Sequence, residues 1–409
     1  MDTHHGEGQE AGSPVLNNAL VLLMAVATGI AVANIYYAQP LLDTLARAFG
    51  VPTHTAGLIV TMTQVGYALG LVFVVPLGDL VERRRLVVVL SLCAVAALLF
   101  TGNAHGIHPF IWGSLAIGVT SVVAQILVPY AAHLAPPAQR GRVVGRVMSG
   151  LLLGILSART VSGVLSDMFG WRSVFWLAAG TMLLLAVVMG RALPRDPVRE
   201  RVSYGALLRS VLHLLVEEPL LRRRIVYGAL MFATFSALWT ALPFLLAAAP
   251  YHYGDSVIGA FGLLGIAGAV CASIAGHLHD RGWSHRATGV FIACVLVAFV
   301  VMGVWSHAVA AVILGVLLLD IGVQGTQILN QSAIYQLRPE ARSRLTTAYM
   351  TSFFTGGALG SAAAAYAYGQ WGWWGVAAIG IGLPVLALLY WLSDSPDSGR
   401  ITVGLEAKE

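Results

Sequence analysis

The chain has 409 residues, of which 57% are hydrophobic and only 11% are Asp, Glu, Lys or Arg, with a net charge of +5. Soluble domains carry about 25% charged residues to cover a wet surface, so this composition excludes a soluble multidomain protein and leaves lipid as the solvent for most of the surface. Every basic residue except Lys408 is an arginine; the arginines sit between apolar runs, which argues for topology marking and against a nucleic-acid face.

Residues 1–16 are polar, with no basic region ahead of a short apolar stretch, and read as a cytosolic tail rather than a signal peptide. His4 and His5 within it read as disordered tail, with a metal site as the other reading. Twelve apolar runs follow, near 17–40, 55–78, 86–104, 109–134, 143–166, 171–193, 223–248, 256–279, 286–305, 308–335, 344–368 and 371–392. Each has about the length that crosses a hydrocarbon core of roughly 30 Å. A helix satisfies its own backbone in lipid, and these runs lack the short alternating pattern of a membrane barrel. The expected fold class is therefore an all-α polytopic membrane protein with 12 transmembrane helices. Cys93, Cys271 and Cys294 fall inside the runs, so no disulfide framework is expected.

An even number of spans puts both termini on one side. Arg83, Arg84 and Arg85 follow run 2, Arg140 and Arg142 follow run 4, and Arg191, Arg195, Arg199, Arg201, Arg209, Arg222, Arg223 and Arg224 surround the link from run 6 to run 7. Arg281 and Arg286 follow run 8, and Arg338, Arg342 and Arg344 follow run 10; the opposite loops hold little beyond Arg47 and Arg172. The positive-inside rule places the arginine-rich loops and both termini in the cytoplasm of a cell with the chain in its inner membrane.

The long polar link divides the chain into a bundle over 17–193, a cytoplasmic linker over 194–222, a bundle over 223–393 and a second cytosolic tail over 394–409. Leu207, Leu208, Val211, Leu212 and Leu215 recur at helical spacing in the linker, as in a surface amphipathic helix or a plain linker helix. The halves echo each other. Ala124-Gln125-Ile126-Leu127 with Ala138-Gln139-Arg140-Gly141-Arg142 matches Thr326-Gln327-Ile328-Leu329 with Glu340-Ala341-Arg342-Ser343-Arg344, pairing Gly154 with Gly356. Such repeats place a binding site at their interface near the midplane.

After run 2 stands Gly78-Asp79-Leu80-Val81-Glu82-Arg83-Arg84-Arg85, and after run 8 Gly276-His277-Leu278-His279-Asp280-Arg281-Gly282. The first resembles the loop signature of the major facilitator superfamily: a glycine, three residues, an acid, then basic residues. Asn34-Ile35-Tyr36-Tyr37-Ala38-Gln39-Pro40 resembles bacterial efflux-type members of that superfamily, and Gly145, Gly154, Ala158, Ser162 and Gly163 resemble the antiporter motif of drug:proton antiporter-like members. Arg159 occupies that motif's proline position, and Ser114 stands where efflux members often have an arginine. The resemblance implies two pseudo-symmetric six-helix bundles alternating in access. It implies a cytoplasmic gate formed by Gly78, Asp79, Glu82, Arg83, Arg84, Gly276, Asp280 and Arg281, with positive-inside charge alone as the other reading.

Asp320 is the only acid deep within a run, and Arg159 lies at a similar depth. A charge at mid-helix costs roughly 2.5–3.5 kcal/mol on insertion scales, so each should face a cavity or a partner. The two are expected to pair, directly or through water, and to couple proton movement to transport; a static ion pair and substrate contact alone are the other readings. Asp320, Gln324, Gln327 and Gln331 share one helix face, and Ser121 and Gln125 make a matching pair. Asn34, Tyr37, Gln64, Tyr67, Trp239, Tyr349 and Phe353 complete the expected substrate cavity, with simple packing as the alternative for each aromatic.

Together these features predict a non-enzymatic secondary transporter that exports an amphipathic organic solute by proton exchange, since no GxxxxGK nucleotide loop is present. Movement of a polar metabolite such as a sugar or nucleoside is the alternative, followed by a membrane sensor or a membrane-embedded enzyme. The expected partners are a small-molecule substrate, protons and the bilayer, with the chain acting as a monomer. No cofactor or metal and no nucleic acid are expected.

Overall fold

The computed structural model describes residues 17–195, 203–338 and 341–394. Both tails, with His4 and His5, and the linker arginines Arg199 and Arg201 lie outside the described residues, apart from Asn17 and Asp394 at the tail boundaries. Within them the structure is helical. The helices are α1 Asn18–Ala33, α2 Leu42–Phe49, α3 Thr53–Phe73, α4 Leu77–Leu80, α5 Arg83–Gly102, α6 Ile107–Thr120, α7 Val123–Leu134 and α8 Arg140–Phe169. They continue as α9 Trp171–Ala192, α10 Tyr204–Glu217, α11 Pro219–Ala247, α12 Asp255–Ala260, α13 Ile266–Asp280, α14 Ser284–Val304, α15 Val309–Tyr335 and α16 Arg342–Ser393.

Among the described residues ten helical segments are long and apolar enough to cross a membrane, and α1 is a shorter apolar helix. One of the ten, α16, runs through Gly372, whose φ of 61° breaks the helix into two spans; glycine reaches that left-handed region without a Cβ clash. The count is consistent with twelve spans. Trp112, Trp176, Trp305, Trp371 and Trp374 are exposed near the ends of helices opposite the arginine-rich loops, where amphipathic rings sit at a membrane interface.

Four expected runs are broken rather than continuous. The first stops at Ala33, turns, and resumes as a 3-10 segment Gln39–Leu41 containing Pro40, because proline lacks the N–H a continuing helix needs. The second bends at Pro76 between α3 and α4, and the fourth breaks at Ser121–Val122 between α6 and α7. The eighth carries a 3-10 segment Phe261–Gly265 between α12 and α13. Non-helical backbone at membrane depth is tolerated where it is buried in protein or lines a cavity.

Packing follows the repeat. In the first half α1 pairs with α8, α3 with α6 and α5 with α9; in the second, α11 pairs with α16, α13 with α15, and α14 with α15 and α16. Gly154 and Gly356, matched in the sequence repeat, are corresponding contact points: a Cβ on Gly154 would lie 2.3 Å from the Gly29 carbonyl oxygen, and one on Gly356 would lie 2.4 Å from that of Ala229. Small residues let these backbones touch where lipid supplies no hydrophobic drive. The fold is thus the expected pair of pseudo-symmetric bundles. The linker forms α10, capped by Ser203 Oγ on the Ala206 N–H and exposing Leu212 and Val216.

The halves meet at the end away from the arginine-rich loops. Thr61 Oγ1 donates to Ser361 Oγ at 3.1 Å, Thr160 Oγ1 to the Gly259 carbonyl at 3.1 Å, and Asp255 accepts from Thr44 Oγ1 at 2.8 Å and Ser166 Oγ at 2.6 Å. Asp167 accepts from the Ser256 N–H at 2.8 Å and from its hydroxyl. At the arginine-rich end, a Cβ on Gly141, Gly145 or Gly276 would meet nothing within 4 Å.

A Cβ on Gly118 would lie 2.1 Å from the Thr63 carbonyl oxygen. Gly118→Val should therefore cost about 1–3 kcal/mol of overpacking, read as a lower thermal midpoint of the purified protein, whereas Gly141→Val should leave the midpoint unchanged.

Candidate functional site

Arg159 sits on α8 with 3% of its surface exposed. Its Nε donates to Gln39 Oε1 at 2.7 Å. Its guanidinium carbon lies 3.9 Å from the Trp239 ring centroid, 4.7 Å from that of Tyr36 and 5.7 Å from that of Phe235. The break after Ala33 swings Gln39 and Tyr36 over α8, while α11 supplies Phe235 and Trp239 from the other half. Desolvated cation–ring contacts are worth about 2 kcal/mol, enough to offset much of the cost of burying the charge. Nη2 of Arg159 and the indole nitrogen of Trp239 have no hydrogen-bond partner.

Asp320 on α15 is 4% exposed, and its Oδ2 also has no partner. The expected direct ion pair is not formed: among the described residues no salt bridge joins Asp320 to Arg159, although Arg159 acts on Asp320 electrostatically. The 3-10 segment of the eighth span packs beside both. A Cβ on Gly262 would press on Arg159 Cβ at 2.9 Å, and one on Gly265 would lie 3.9 Å from the Asp320 carboxyl carbon. Glycine at these two positions leaves room for the segment to pack beside both the guanidinium and the carboxylate.

The other expected site residues separate into groups. Gln64 Nε2 donates to Ser236 Oγ at 3.0 Å, a polar contact between the halves, and Gln125 Nε2 donates to the Tyr67 hydroxyl at 3.2 Å within the first half. Asn34 is buried with both side-chain polar atoms unpartnered. Gln324, Gln327 and Gln331 are half-buried along α15, Gln331 reaching Met350 Sδ at 3.7 Å. Phe353 stacks on Phe232 at 3.9 Å, and the Tyr349 hydroxyl accepts from Asn330 Nδ2 at 3.3 Å, so both belong to the packing of the second half. Tyr37 lines a groove of about 580 Å³ between α1 and α8, whose walls include the exposed Leu22, Val26 and Leu153; in the turn after Ala33 it is Tyr36 whose ring meets the Arg159 guanidinium.

Several of the gate residues bond near their own loops. Arg83 pairs with Asp79 at 3.3 Å and donates from Nε to the Gly78 carbonyl at 3.1 Å, within its own loop. Arg84 bonds the Leu193 and Gly190 carbonyls. Glu82 precedes α5 without capping it through its side chain. Asp280 and Arg281, after Gly276 at the end of α13, form no ion pair among the described residues. Ser114 is buried and donates to the Phe110 carbonyl at 2.9 Å.

A sequence profile of the Major Facilitator Superfamily matches residues 24–337. The chain belongs to the Major Facilitator Superfamily. It is 49% identical over 376 residues to the putative uncharacterized transporter YgaY of Escherichia coli strain K12, covering 92% of this chain and 95% of that one. It is 23% identical over 357 residues to a probable sugar efflux transporter of Helicobacter pylori strain 26695, covering 86% and 88% of the two chains. Among solved structures, a bacterial homologue of the human lysosomal transporter Spinster, in an inward-facing and unoccupied conformation, shares the fold with a TM-score of 0.77 at 13% identity, over 96% of this chain and all of that one. The superfamily member described above is thus a multi-pass membrane transporter for a small molecule.

Gln39→Leu removes the acceptor of the Arg159 Nε proton. It should cost about 1.5–3 kcal/mol, the range for hydrogen bonds to charged groups, and lower the thermal midpoint. Asp255→Ala removes the second-half acceptor for two first-half hydroxyls, Thr44 and Ser166, at the closed end; spin labels on α2 and α12 should show a longer mean separation than in the parent protein.

Proposed function

We propose that this superfamily member is a proton-driven exporter of an amphipathic organic solute in a bacterial inner membrane, with Asp320 as the proton carrier. The observation that carries the reading is the pair of desolvated, opposite and unjoined charges, Asp320 and Arg159, at the seam where the halves close. A buried carboxylate without a partner is held in balance between burial, which disfavours its charge, and the arginine field, which favours it. Rocking of the halves, or arrival of a solute, changes water access and so moves that balance. The aromatic walls of Tyr36, Phe235 and Trp239 suit a solute with apolar bulk. The efflux named for the Helicobacter relative supports the outward direction.

Orientation follows from the arginine-rich loops, which we assign to the cytoplasm. The closed end then faces outward, and the parted end, with Asp79–Arg83 paired inside its own loop, faces the cell interior. In the opposite state Asp79 and Asp280 would latch the cytoplasmic ends.

Two measurements check this. Asp320→Asn in inverted vesicles should abolish solute movement driven by a pH gradient while leaving solute exchange without a gradient; unchanged gradient-driven movement would refute the coupling role. A cysteine at the exposed position His307 should react with an impermeant maleimide in intact cells, and one at Arg85 only after permeabilisation.

A further inference from the structure

The buried, unpartnered Arg159 and Asp320 constrain the charge of the cargo as well as its bulk. Trp239 and Tyr36 crowd the Arg159 guanidinium at 3.9 and 4.7 Å, and Gln39 holds its Nε edge, so an incoming group meets the terminal amino edge, where Nη2 is unpartnered at 3% residue exposure. A planar fork presented edge-on matches a carboxylate bidentately. A doubly charged phosphate fits worse, because its second charge would stand unopposed near the Asp320 carboxylate.

Asp320 presents its own unpartnered Oδ2 at 4% exposure. Arg159 is the charged group whose field reaches it, and Tyr36 is the other titratable group on which its field acts. The glycines of the 3-10 segment Phe261–Gly265 pack beside both charges, Gly262 against Arg159 and Gly265 near the Asp320 carboxyl. Two opposite charges, each buried and each short of a partner, form a receptor for a ligand with two opposite charges, since a buried charge is costly until it is paired.

Exchange against protons sharpens the choice. An antiported solute must compete with the proton at Asp320. An organic anion does the reverse: it binds Arg159 best when Asp320 is neutral, and would travel with the proton. A plain cation competes, but meets Arg159 as a like charge in a low-dielectric chamber. Only a solute with both charges displaces the proton and satisfies the arginine.

Resting on the proton-exchange reading above, we infer that the cargo is a zwitterionic aromatic amphipath of the amino-acid type: its carboxylate docks on the free edge of Arg159, its ammonium displaces the proton of Asp320, and its ring lies against Phe235 and Trp239. Charge balance follows. A zwitterion leaves with no net charge while one proton enters, so each turnover carries one positive charge inward; cation–proton exchange would carry none.

The test uses the full-length protein in proteoliposomes and three probes sharing an indole ring: L-tryptophan (zwitterion), N-acetyl-L-tryptophan (anion) and tryptamine (cation). L-tryptophan should raise the thermal midpoint and drive an inward current under a pH gradient. The other two should bind about tenfold more weakly or worse, the effect of losing one charged contact. Arg159→Gln should lose L-tryptophan binding and gain tryptamine binding, whereas Asp320→Asn should retain N-acetyl-L-tryptophan, a crossed pattern that general destabilisation does not produce. Equal binding of either singly charged probe, or binding of none, overturns the cargo class. Exchange of L-tryptophan without proton movement would keep the cargo class and sink the proton role of Asp320. Asp320-dependent exchange of ethidium for protons, with no indole probe bound, would keep the proton role and sink the cargo class.

Discussion

A guanidinium placed two-thirds of the way through a membrane is the constraint to which the rest of this structure answers. Unscreened, Arg159 would cost several kcal/mol. Burial beside an acid would be the simplest remedy, yet the chain does not use it. Gln39 takes the Nε proton, three aromatic rings from both halves crowd the cation, and the Nη2 amino group is left without a partner. Each remedy requires a departure from regular helix. The first span must break after Ala33 to bring Tyr36 and Gln39 across, and the eighth must thin to Gly262 and Gly265 to pass beside both charges. The irregular backbone, set in the first span by Pro40, thus coincides with the buried charge, and its position marks the site as clearly as the charge does.

Much of the fold was legible in the sequence because the bilayer imposes a simple rule: apolar runs of one length, with arginines on alternate loops. Arg159 and Asp320 were legible for the same reason, since a charge inside an apolar run has few harmless places to go. What surrounds them was not. The expected single helix over 17–40 turns after Ala33 instead, so Tyr36 and Gln39 reach Arg159 while Tyr37, an expected cavity residue, lines the α1–α8 groove. Pro40 was the available signal: a proline at the end of an apolar run, preceded by polar residues, ends the helix upstream of itself. Phe235 and Ser236 gave no signal, because α11 is buried almost all round and hydropathy there has no period to read. Tyr349 and Phe353 join an aromatic cluster that runs through Phe354 to Tyr67 of the first half.

The gate motif was legible as charge but not as geometry. Asp79 pairs with Arg83 in the loop itself, while Arg84 reaches the Gly190 and Leu193 carbonyls at the end of α9, and neither partnership follows from the spacing of the motif. By contrast the outer contacts, unflagged by any motif, are fully made by Thr44, Ser166, Asp167 and Asp255.

The internal repeat explains how such a closed end can open. Gly154 and Gly356 correspond, so Arg159 corresponds to Ser361, five residues on in each half. Both lie at the seam, but on opposite flanks. Ser361 accepts hydroxyl hydrogen bonds from Thr61 at 3.1 Å and Thr240 at 2.9 Å. Neutral hydrogen bonds like these are worth about 0.5–1.5 kcal/mol each, and water replaces them at little loss, so that flank is nearly indifferent to the state of the chamber. The Arg159 flank is not indifferent. Its energy depends on what faces the free guanidinium edge and on whether Asp320 carries a proton, through Coulomb terms that are large in a dry chamber. A rocking transporter needs this inequality: one flank that yields in every state, and one that yields only when the charges are answered. The two repeats supply it by placing serine at one of the corresponding positions and arginine at the other.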